Sequence, residues 1–281
     1  MPIHAIQASD DNFPKALTQL AQPITKLYVR GNLKALQLPA LAVVGSRAVT
    51  NYGAEVTTRL INEVAWQSNI AIVSGLALGV DSLAHKAALA AHGTTIAVLP
   101  SGIEGIYPAS HQRLAEQIIA QGGAVVSEYA GVMSPQKFHF IARNRIIAGL
   151  SQVIIITEAT QKSGSLHTAQ FGLEGGKEVL AIPGDIFRPN SVGTNNLIAN
   201  GAHPVRSAQD ILNFFNTSQQ IERGDNQAED TILKLLRKGQ QHSQQLYQNS
   251  HLDVQVCAQT MTMLEIKGRI KNNRHGQWSI V

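Results

Sequence analysis

The amino-acid sequence predicts an α/β protein with a doubly wound, mostly parallel sheet, followed by a small C-terminal winged-helix domain. Six short apolar segments have the pattern of buried strands, and amphipathic helical segments lie between them. A polar stretch after residue 215 then interrupts this alternation, and a different pattern of helices and short strands follows it.

The first 38 residues precede the first strong strand signal. We expect residues 1–38 to form a helical lead-in, with Leu17, Leu20 and Leu27 as its apolar contacts. Within this segment, residues 28–31 are predicted to form a short strand that ends in a turn at a glycine.

Residues 39–215 are predicted to form an extended Rossmann-like domain. Its strands are expected at residues 41–44, 70–74, 95–99, 124–127, 153–157 and 179–182. Helical segments between them include residues 53–66, 81–91 and 112–121. Continuous apolar strands separated by helices are typical of a parallel sheet that is covered on both faces. Such folds bind their ligands beyond the carboxyl ends of the strands.

The C-terminal part follows a polar linker, predicted at residues 216–228. Residues 229–281 contain helical patterns at 230–238 and 253–267, with a short helix near 243–248. Two alternating segments, 268–271 and 276–280, flank a basic turn. Three helices and a hairpin in about 50 residues indicate a winged-helix domain.

Composition indicates a soluble globular protein. The chain has 281 residues, of which 44% are hydrophobic, and its only cysteine excludes an internal disulfide. The net charge is +4, and most of the excess lies in residues 229–281, with 7 Lys and Arg against 4 Asp and Glu. We see neither a signal peptide nor an apolar run long enough to span a bilayer, so we expect a cytoplasmic protein with no membrane partner.

Three loops follow predicted strands and carry groups that suit phosphate. They are Gly45-Ser46-Arg47, Ser74-Gly75 and Ser163-Gly164-Ser165. Glycine permits close approach of the backbone, serine hydroxyls and free amides donate to anions, and the arginine fork fits phosphate. Neither a dinucleotide fingerprint nor a Walker motif is present. The loops therefore indicate phosphate binding of another kind.

Residues 135–151 combine three cations, two phenylalanines and an asparagine. Single-stranded nucleic acid is bound by cations along its backbone and by aromatic faces for its bases. Lys137, Arg143 and Arg145 would supply the cations, and Phe140 is the better of two candidates for stacking, the other being Phe138. The alternative is that both phenylalanines are core residues and the arginines are simply solvated.

Evidence for catalysis is weak in this sequence. Asp81 and His85 lie four residues apart on a predicted helix, but a helix-start carboxylate with a hydrogen-bonded histidine is the stronger interpretation. Glu128 and Glu158 each follow a strand, and nothing pairs either with a nucleophile. We therefore expect no catalytic residues, no metal site and no cofactor.

Five segments resemble the signatures of one family, in order and at suitable spacing. These segments are residues 44–47, 74–85, 140–151, 163–169 and 193–202. Together they are similar to the DNA-processing protein A family, DprA/Smf. The resemblance implies a Rossmann domain that binds single-stranded DNA, forms a homodimer, and loads the recombinase RecA during natural transformation. It also implies a variable, DML1-like winged-helix domain at the C-terminus.

The predicted function is therefore that of a DNA-binding recombination mediator and not of an enzyme. The residues predicted to contact DNA are Gly45, Ser46, Arg47, Lys137, Phe140, Arg143, Arg145, Ser163, Gly164 and Ser165. One alternative is a LOG-like nucleoside monophosphate phosphoribohydrolase, although the loop at 163–168 lacks the glutamate of such enzymes. Another is a double-stranded DNA regulator that acts through the winged helix.

Overall fold

The structure is a computed structural model that describes residues 2–215, 226–237, 242–272 and 277–280. The chain divides into two compact units, Met1–Ser218 and Gln219–Val281. Most of the predicted linker, from residue 216 to 225, lies outside the described residues, as do residues 273–275 of the predicted basic turn. Each unit is considered by itself below.

The described part of the larger unit is built around one sheet of nine strands. They are β1 (Ile3–Gln7), β2 (Lys26–Gly31), β3 (Ala40–Val44), β4 (Ala71–Ser74), β5 (Thr95–Val98), β6 (Ala124–Ser127), β7 (Val153–Ile156), β8 (Glu178–Ala181) and β9 (His203–Pro204). Their order across the sheet is β1-β2-β6-β5-β4-β3-β7-β8-β9. In this order, neighbours from β6 to β9 are parallel, whereas β1 with β2 and β2 with β6 form antiparallel pairs. The predicted mostly parallel α/β fold is confirmed.

Helices cover both faces of this sheet. They are α1 (Asn51–Gln67), α2 (Val80–Ala90), α3 (Gln112–Ala120), α4 (Lys137–Leu150), α5 (Ser165–Glu174), α6 (Val192–Ala199) and α7 (Ala208–Leu212). Strand β3 shows the two-sided burial most clearly. Its residues Leu41 and Val43 belong to one apolar cluster, while Ala42 and Val44 belong to another on the opposite face. This explains why the strand is apolar at every position.

The N-terminal segment differs from the predicted helical lead-in. Residues 1–38 contain strands β1 and β2, together with short 3₁₀ helices at Lys15–Gln19 and Leu33–Gln37. Strand β2 extends the sheet by pairing with β6, and β1 then pairs with β2. Leu17 and Leu27 are fully buried in the core under the sheet. Pairing with a distant strand therefore decides the conformation of this segment, which belongs to the larger unit.

The smaller unit has the elements expected of a winged helix. Its described elements are α8 (Gln227–Arg237), α9 (Ser243–Ser250), α10 (Val254–Ile266), β10 (Ile270–Asn272) and β11 (Trp278–Ile280). The two strands pair antiparallel. The Trp278 side chain packs into a core with Leu246 and Leu264, and its indole nitrogen donates to Ser243 Oγ at 2.8 Å. Among the described residues, no helix is long and apolar enough to cross a bilayer.

Candidate nucleic-acid interface

A cleft of about 480 Å³ opens at the carboxyl edge of the parallel strands. It forms where β3 ends at Val44, where α5 begins at Ser165, and where α4 passes across. Eight of the ten predicted site residues line it: Gly45, Ser46, Arg47, Phe140, Arg143, Ser163, Gly164 and Ser165. Parallel strands present their carboxyl ends at one edge, which is why loops far apart in sequence converge here.

Arg47 and Phe140 form a cationic and aromatic surface in this cleft. The Arg47 side chain is exposed, and its Cζ lies 5.0 Å from the centroid of the Phe140 ring. Tyr107 contacts the same ring edge-on, with centroids 5.5 Å apart. No acidic side chain of the described residues pairs with Arg47. Its guanidinium is therefore held against an aromatic face and is available to an anion.

The two candidate phenylalanines differ in position. Phe140 is half-buried and lines the cleft, whereas Phe138 is 59% exposed and lies at a separate apolar pocket. The alternative that both are core residues is therefore wrong for Phe138. Only Phe140 shares a surface with Arg47, so it remains the candidate for base stacking.

The start of α5 offers hydrogen-bond donors to the cleft. Ser163 Oγ and Ser165 Oγ lie 2.8 Å apart, and Asn144 Nδ2 donates to the Gly164 carbonyl at 3.2 Å. The buried hydroxyl of Thr168 also lines the cleft and has no hydrogen-bond partner among the described residues. A helix N-terminus with hydroxyl groups beside it is a suitable anion site.

Arg143 lines the cleft but is committed mainly to the protein. It is only 5% exposed, and its Nη1 donates to the carbonyls of Val98, at 2.8 Å, and of Gly75. The pKa of the Arg143 guanidinium is lowered to about 10, chiefly by burial; Asp81 opposes this change, and the charge of Arg47 contributes to it. We therefore assign Arg143 chiefly to fixing the ends of β4 and β5, which corrects its predicted role as a free phosphate contact.

Arg145 does not reach the cleft. Its Nη2 binds both carboxylate oxygens of Glu128, at 2.7 and 2.8 Å, and its Nη1 donates to the Gln22 carbonyl at 2.9 Å. Residues two positions apart on a helix point in nearly opposite directions, so the side chains of Arg143 and Arg145 cannot lie on the same face of α4. The predicted phosphate contact by Arg145 is therefore contradicted by its position.

Asp81 and His85 have structural partners, which supports the non-catalytic interpretation. Asp81 Oδ2 accepts from the backbone nitrogens of Gly75, at 3.1 Å, and Ala77, at 3.4 Å. Burial raises the pKa of Asp81 in spite of these bonds and the charge of Arg143. His85 is fully buried, with Nδ1 2.7 Å from Thr95 Oγ1, and burial lowers its pKa to about 3.

A turn that contains Gly79 contacts the backbone of the loop at residues 45–47, called the Arg47 loop. The amide of Val80 donates to the Ser46 carbonyl at 3.2 Å. The preceding residue, Gly79, has a φ of 79°, and a Cβ there would contact the Ser46 carbonyl oxygen and lie 2.7 Å from that of Arg47. The backbone of the Arg47 loop thus rests directly on this turn, which only glycine permits.

Three residues near the cleft were not predicted as site residues. Tyr107 reaches Phe140 only through the tertiary fold, and no local signal marks it. The sequence does carry a signal for the other two. Asn144 lies between two predicted site arginines, and the exposed Lys162 directly precedes the predicted site residue Ser163. Lys137 is exposed at the first residue of α4 but does not line the cleft.

In the described part of the chain, no cluster of three or more His, Cys, Asp or Glu could hold a metal ion.

Comparison with known proteins identifies the family of this chain. The sequence model of the family described as DNA recombination-mediator protein A matches residues 4–216. The chain belongs to this family. The resemblance inferred from the five segments is thereby confirmed.

Relatives within the DNA recombination-mediator protein A family match about three quarters of this chain. Protein Smf of Escherichia coli K12 is 45% identical over 209 residues, which cover 74% of this chain and 56% of that protein. The DNA processing protein DprA of Streptococcus pneumoniae is 44% identical over 206 residues, covering 73% and 72%. The chain therefore matches little more than half the length of the Escherichia coli relative.

Two solved structures of the same family are similar to this fold. An X-ray structure of DprA from Streptococcus pneumoniae superimposes with a TM-score of 0.71 at 42% identity, covering 76% of this chain and 74% of that one. A structure of DprA from Helicobacter pylori, which concerns its single-stranded DNA binding mode, gives a TM-score of 0.68 at 36% identity. It covers 76% of this chain and 95% of that one.

Proposed function

We propose that this chain is a single-stranded DNA-binding recombination mediator that protects incoming strands in the cytoplasm and loads a RecA recombinase during natural transformation. The observation that carries the proposal is the exposed Arg47 guanidinium, stacked on Phe140 beside the start of α5. Phosphate and base are the two parts of a nucleotide, and this surface offers a partner for each.

The geometry favours single strands over duplex DNA. An aromatic face such as Phe140 stacks on a base only when that base is unpaired. The hydroxyl and amide donors at residues 163–165 would bind phosphates, which carry no direct sequence information. We therefore expect binding that depends little on sequence.

Neither glutamate that follows a strand is placed to act as the general base of a hydrolase. Glu128 is bound to Arg145, and Glu158 is buried with Oε2 accepting from the Thr50 amide at 2.9 Å. Neither lines the cleft. We infer that the chain is not an enzyme, and release of adenine from AMP by the purified protein would contradict this.

Partner proteins are also part of the proposal. We propose a homodimer and a RecA contact because the chain belongs to a family of recombination mediators. The apolar residues Ile211, Leu212 and Phe215 cannot serve the dimer, since they are buried in the core of their own unit. Leu197 and Ile198 of α6, together with Phe214, are only partly buried, and we propose them as the apolar residues of the dimer contact. Sedimentation that shows only monomer at tens of micromolar would contradict the homodimer.

The decisive experiment compares a poly-dT oligomer with duplex DNA in a mobility-shift assay. We expect Arg47→Ala to weaken binding of the single strand at least tenfold, and Arg47→Lys to recover only part because the planar fork is lost. Arg59→Ala is the matched control, since Arg59 is exposed on α1 and pairs with Glu55 at 2.8 Å. Wild-type affinity in a folded Arg47→Ala protein would contradict the assignment.

Salt dependence measures how many cations contact phosphate. Three exposed cations lie in or next to the lining segments, namely Arg47, Lys137 and Lys162. If each phosphate contact contributes about 0.7 to the slope, the logarithm of the association constant should fall by roughly 2 for a tenfold rise in salt concentration. Arg47→Ala should reduce this slope by about 0.7. A nearly flat dependence would argue against phosphate binding.

A further inference from the structure

A second cavity of about 720 Å³ lies beside the loop at residues 183–191. This loop is bonded to the rim of the cleft, because Asn190 Nδ2 donates to the carbonyl of Ala48 at 3.0 Å. Ala48 follows Arg47 directly and lines the cleft itself. The loop and its cavity therefore lie next to the Arg47 end of the cleft.

The loop carries two exposed apolar side chains next in sequence to residues that line the cavity. Ile186 is 75% exposed and Phe187 is 87% exposed, and they lie between Asp185 and Arg188, both of which line the cavity. Two adjacent large apolar side chains with this exposure indicate a surface that contacts a partner.

The backbone under Phe187 is well fixed. Asn195 bonds both the amide and the carbonyl of Gly184, at 3.1 and 3.0 Å, and Asp185 Oδ1 accepts from the Phe187 amide at 2.8 Å. The exposed ring thus projects from a fixed loop. Such preorganisation reduces the ordering cost of binding, which is what a stacking platform requires.

The charges in the cavity favour a base over a phosphate. The carboxylate of Glu158 is only 3% exposed and lines the cavity, and Arg188 is paired with Asp185 at 3.5 Å. A phosphate would therefore meet acidic groups with no unpaired cation to compensate for them. The side-chain amide of Asn51 and the side-chain oxygen of Asn190 offer donor and acceptor groups of the kind that base edges use.

We propose that this cavity takes a nucleobase of the bound single strand, and that Phe187 stacks on it. The site would be a second aromatic contact, distinct from Phe140, on the path of a strand whose phosphate lies at Arg47. This inference rests on the proposed function, since it requires a single strand in the cleft.

The test uses the full chain and a fluorescently labelled poly-dT oligomer. Phe187→Ala should lower affinity about tenfold and leave the salt slope unchanged, because stacking is removed and no phosphate contact is lost. Phe187→Trp should keep the affinity, and the added indole fluorescence should be quenched on binding. Leu173→Ala is the matched control, because Leu173 is 60% exposed on α5 and lines neither cavity.

The outcomes separate this inference from the proposed function. If Arg47→Ala weakens binding and Phe187→Ala does not, the nucleobase site is overturned and the cleft assignment stands. If wild-type protein fails to bind the oligomer, both are overturned. If Phe187→Ala reduces self-association in sedimentation and leaves DNA affinity intact, the ring contacts a second copy of the chain and the nucleobase site is overturned.

Discussion

Three arginines near the cleft differ in what their side chains bind, and this decides what each substitution should change. Arg47 is exposed against an aromatic ring, whereas Arg143 and Arg145 are buried with protein acceptors. A guanidinium leaves water favourably only when acceptors replace its hydration. Arg47 should therefore affect binding, and the other two should chiefly affect stability.

We expect Arg145→Ala to lower the free energy of unfolding by about 2 kcal/mol, because it leaves the Glu128 carboxylate and the Gln22 carbonyl without their donor. Urea unfolding measures this, with Arg59→Ala as the exposed control. Affinity for the poly-dT oligomer should remain within about twofold of wild type. Unchanged stability together with a tenfold loss of affinity would restore Arg145 as a DNA contact.

His85 should make the protein sensitive to acid. Burial lowers its pKa in the folded state from 6.5 to about 3, with smaller effects of His111 and Arg143 in the same direction. Between these two values the unfolded chain binds the proton and the folded one does not. The free energy of unfolding should therefore fall by about 1.4 kcal/mol per unit as the pH drops below 6.5.

His85→Gln isolates this effect, since glutamine does not titrate. Urea unfolding at pH 7.5 and pH 5 should show a loss about 2 kcal/mol larger in wild type than in the variant. Asp81, whose pKa is raised by burial, acts in the opposite sense and is present in both proteins. An equal loss in both would show that His85 does not carry the acid sensitivity.

The positions of single site residues could be predicted from the sequence where the sheet determines them. The convergence of Gly45-Ser46-Arg47 with Ser163–Ser165 follows from the rule for parallel strands, and the structure brings these segments to one cleft. The role of Arg145 could not be derived in the same way. Its acceptors, Glu128 and Gln22, come from distant parts of the chain, and no local pattern pairs them with it.

At the level of elements, the turn between β4 and α2 determines the position of the Arg47 loop. Gly79 leaves no room for a Cβ against the carbonyls of Ser46 and Arg47. Gly122 has a similar positive φ, 86°, yet a Cβ there would meet nothing within 4 Å. Alanine at either position is strained by the backbone, but only at Gly79 does it also push on the Arg47 loop.

We therefore expect Gly79→Ala to weaken binding of the single strand at least fivefold, whereas Gly122→Ala should leave it unchanged. Both variants should lose about 1 kcal/mol of unfolding free energy from strain, and Gly79→Ala should lose more because of the contact with the Ser46 backbone. Fluorescence anisotropy and urea unfolding measure the two effects. Equal affinities in the two variants would show that the turn does not position Arg47.

The elements themselves were predictable to different degrees. Strands β3 to β8 begin and end within about one residue of the predicted bounds, since buried parallel strands carry continuous apolar runs between turn residues. Strand β2 was predicted only over residues 28–31, and β1 was not predicted. Strand β2 pairs antiparallel with β6, which is formed by residues much later in the chain, and β1 pairs antiparallel with β2. Local sequence carries little information about such pairing.

At the scale of the whole molecule, each of the two units has its own hydrophobic core among the described residues. Three apolar clusters lie in the larger unit, and the cluster containing Leu246 and Trp278 lies in the smaller one. The family match ends at residue 216, close to the end of the larger unit at Ser218. The larger unit should therefore fold by itself.

A fragment that ends at Ser218 should unfold cooperatively and bind the poly-dT oligomer within about tenfold of the full chain. The physical reason is that every residue of the cleft lies before this point. Circular dichroism during urea unfolding establishes folding, and the mobility shift establishes binding. If the fragment folds but no longer binds the oligomer, the DNA site would have to be assigned to the winged helix.

The central position of β3 has a consequence for synthesis on the ribosome. This strand pairs with β4, which follows closely, and with β7, which emerges on the order of 110 residues later. At about 5 to 20 residues per second, one edge of β3 stays unpaired for roughly 5 to 20 s in the nascent chain. An apolar strand with a free edge can pair with another chain. Slow translation between β4 and β7 should therefore increase aggregation of nascent protein, while delays after β7 should have little effect.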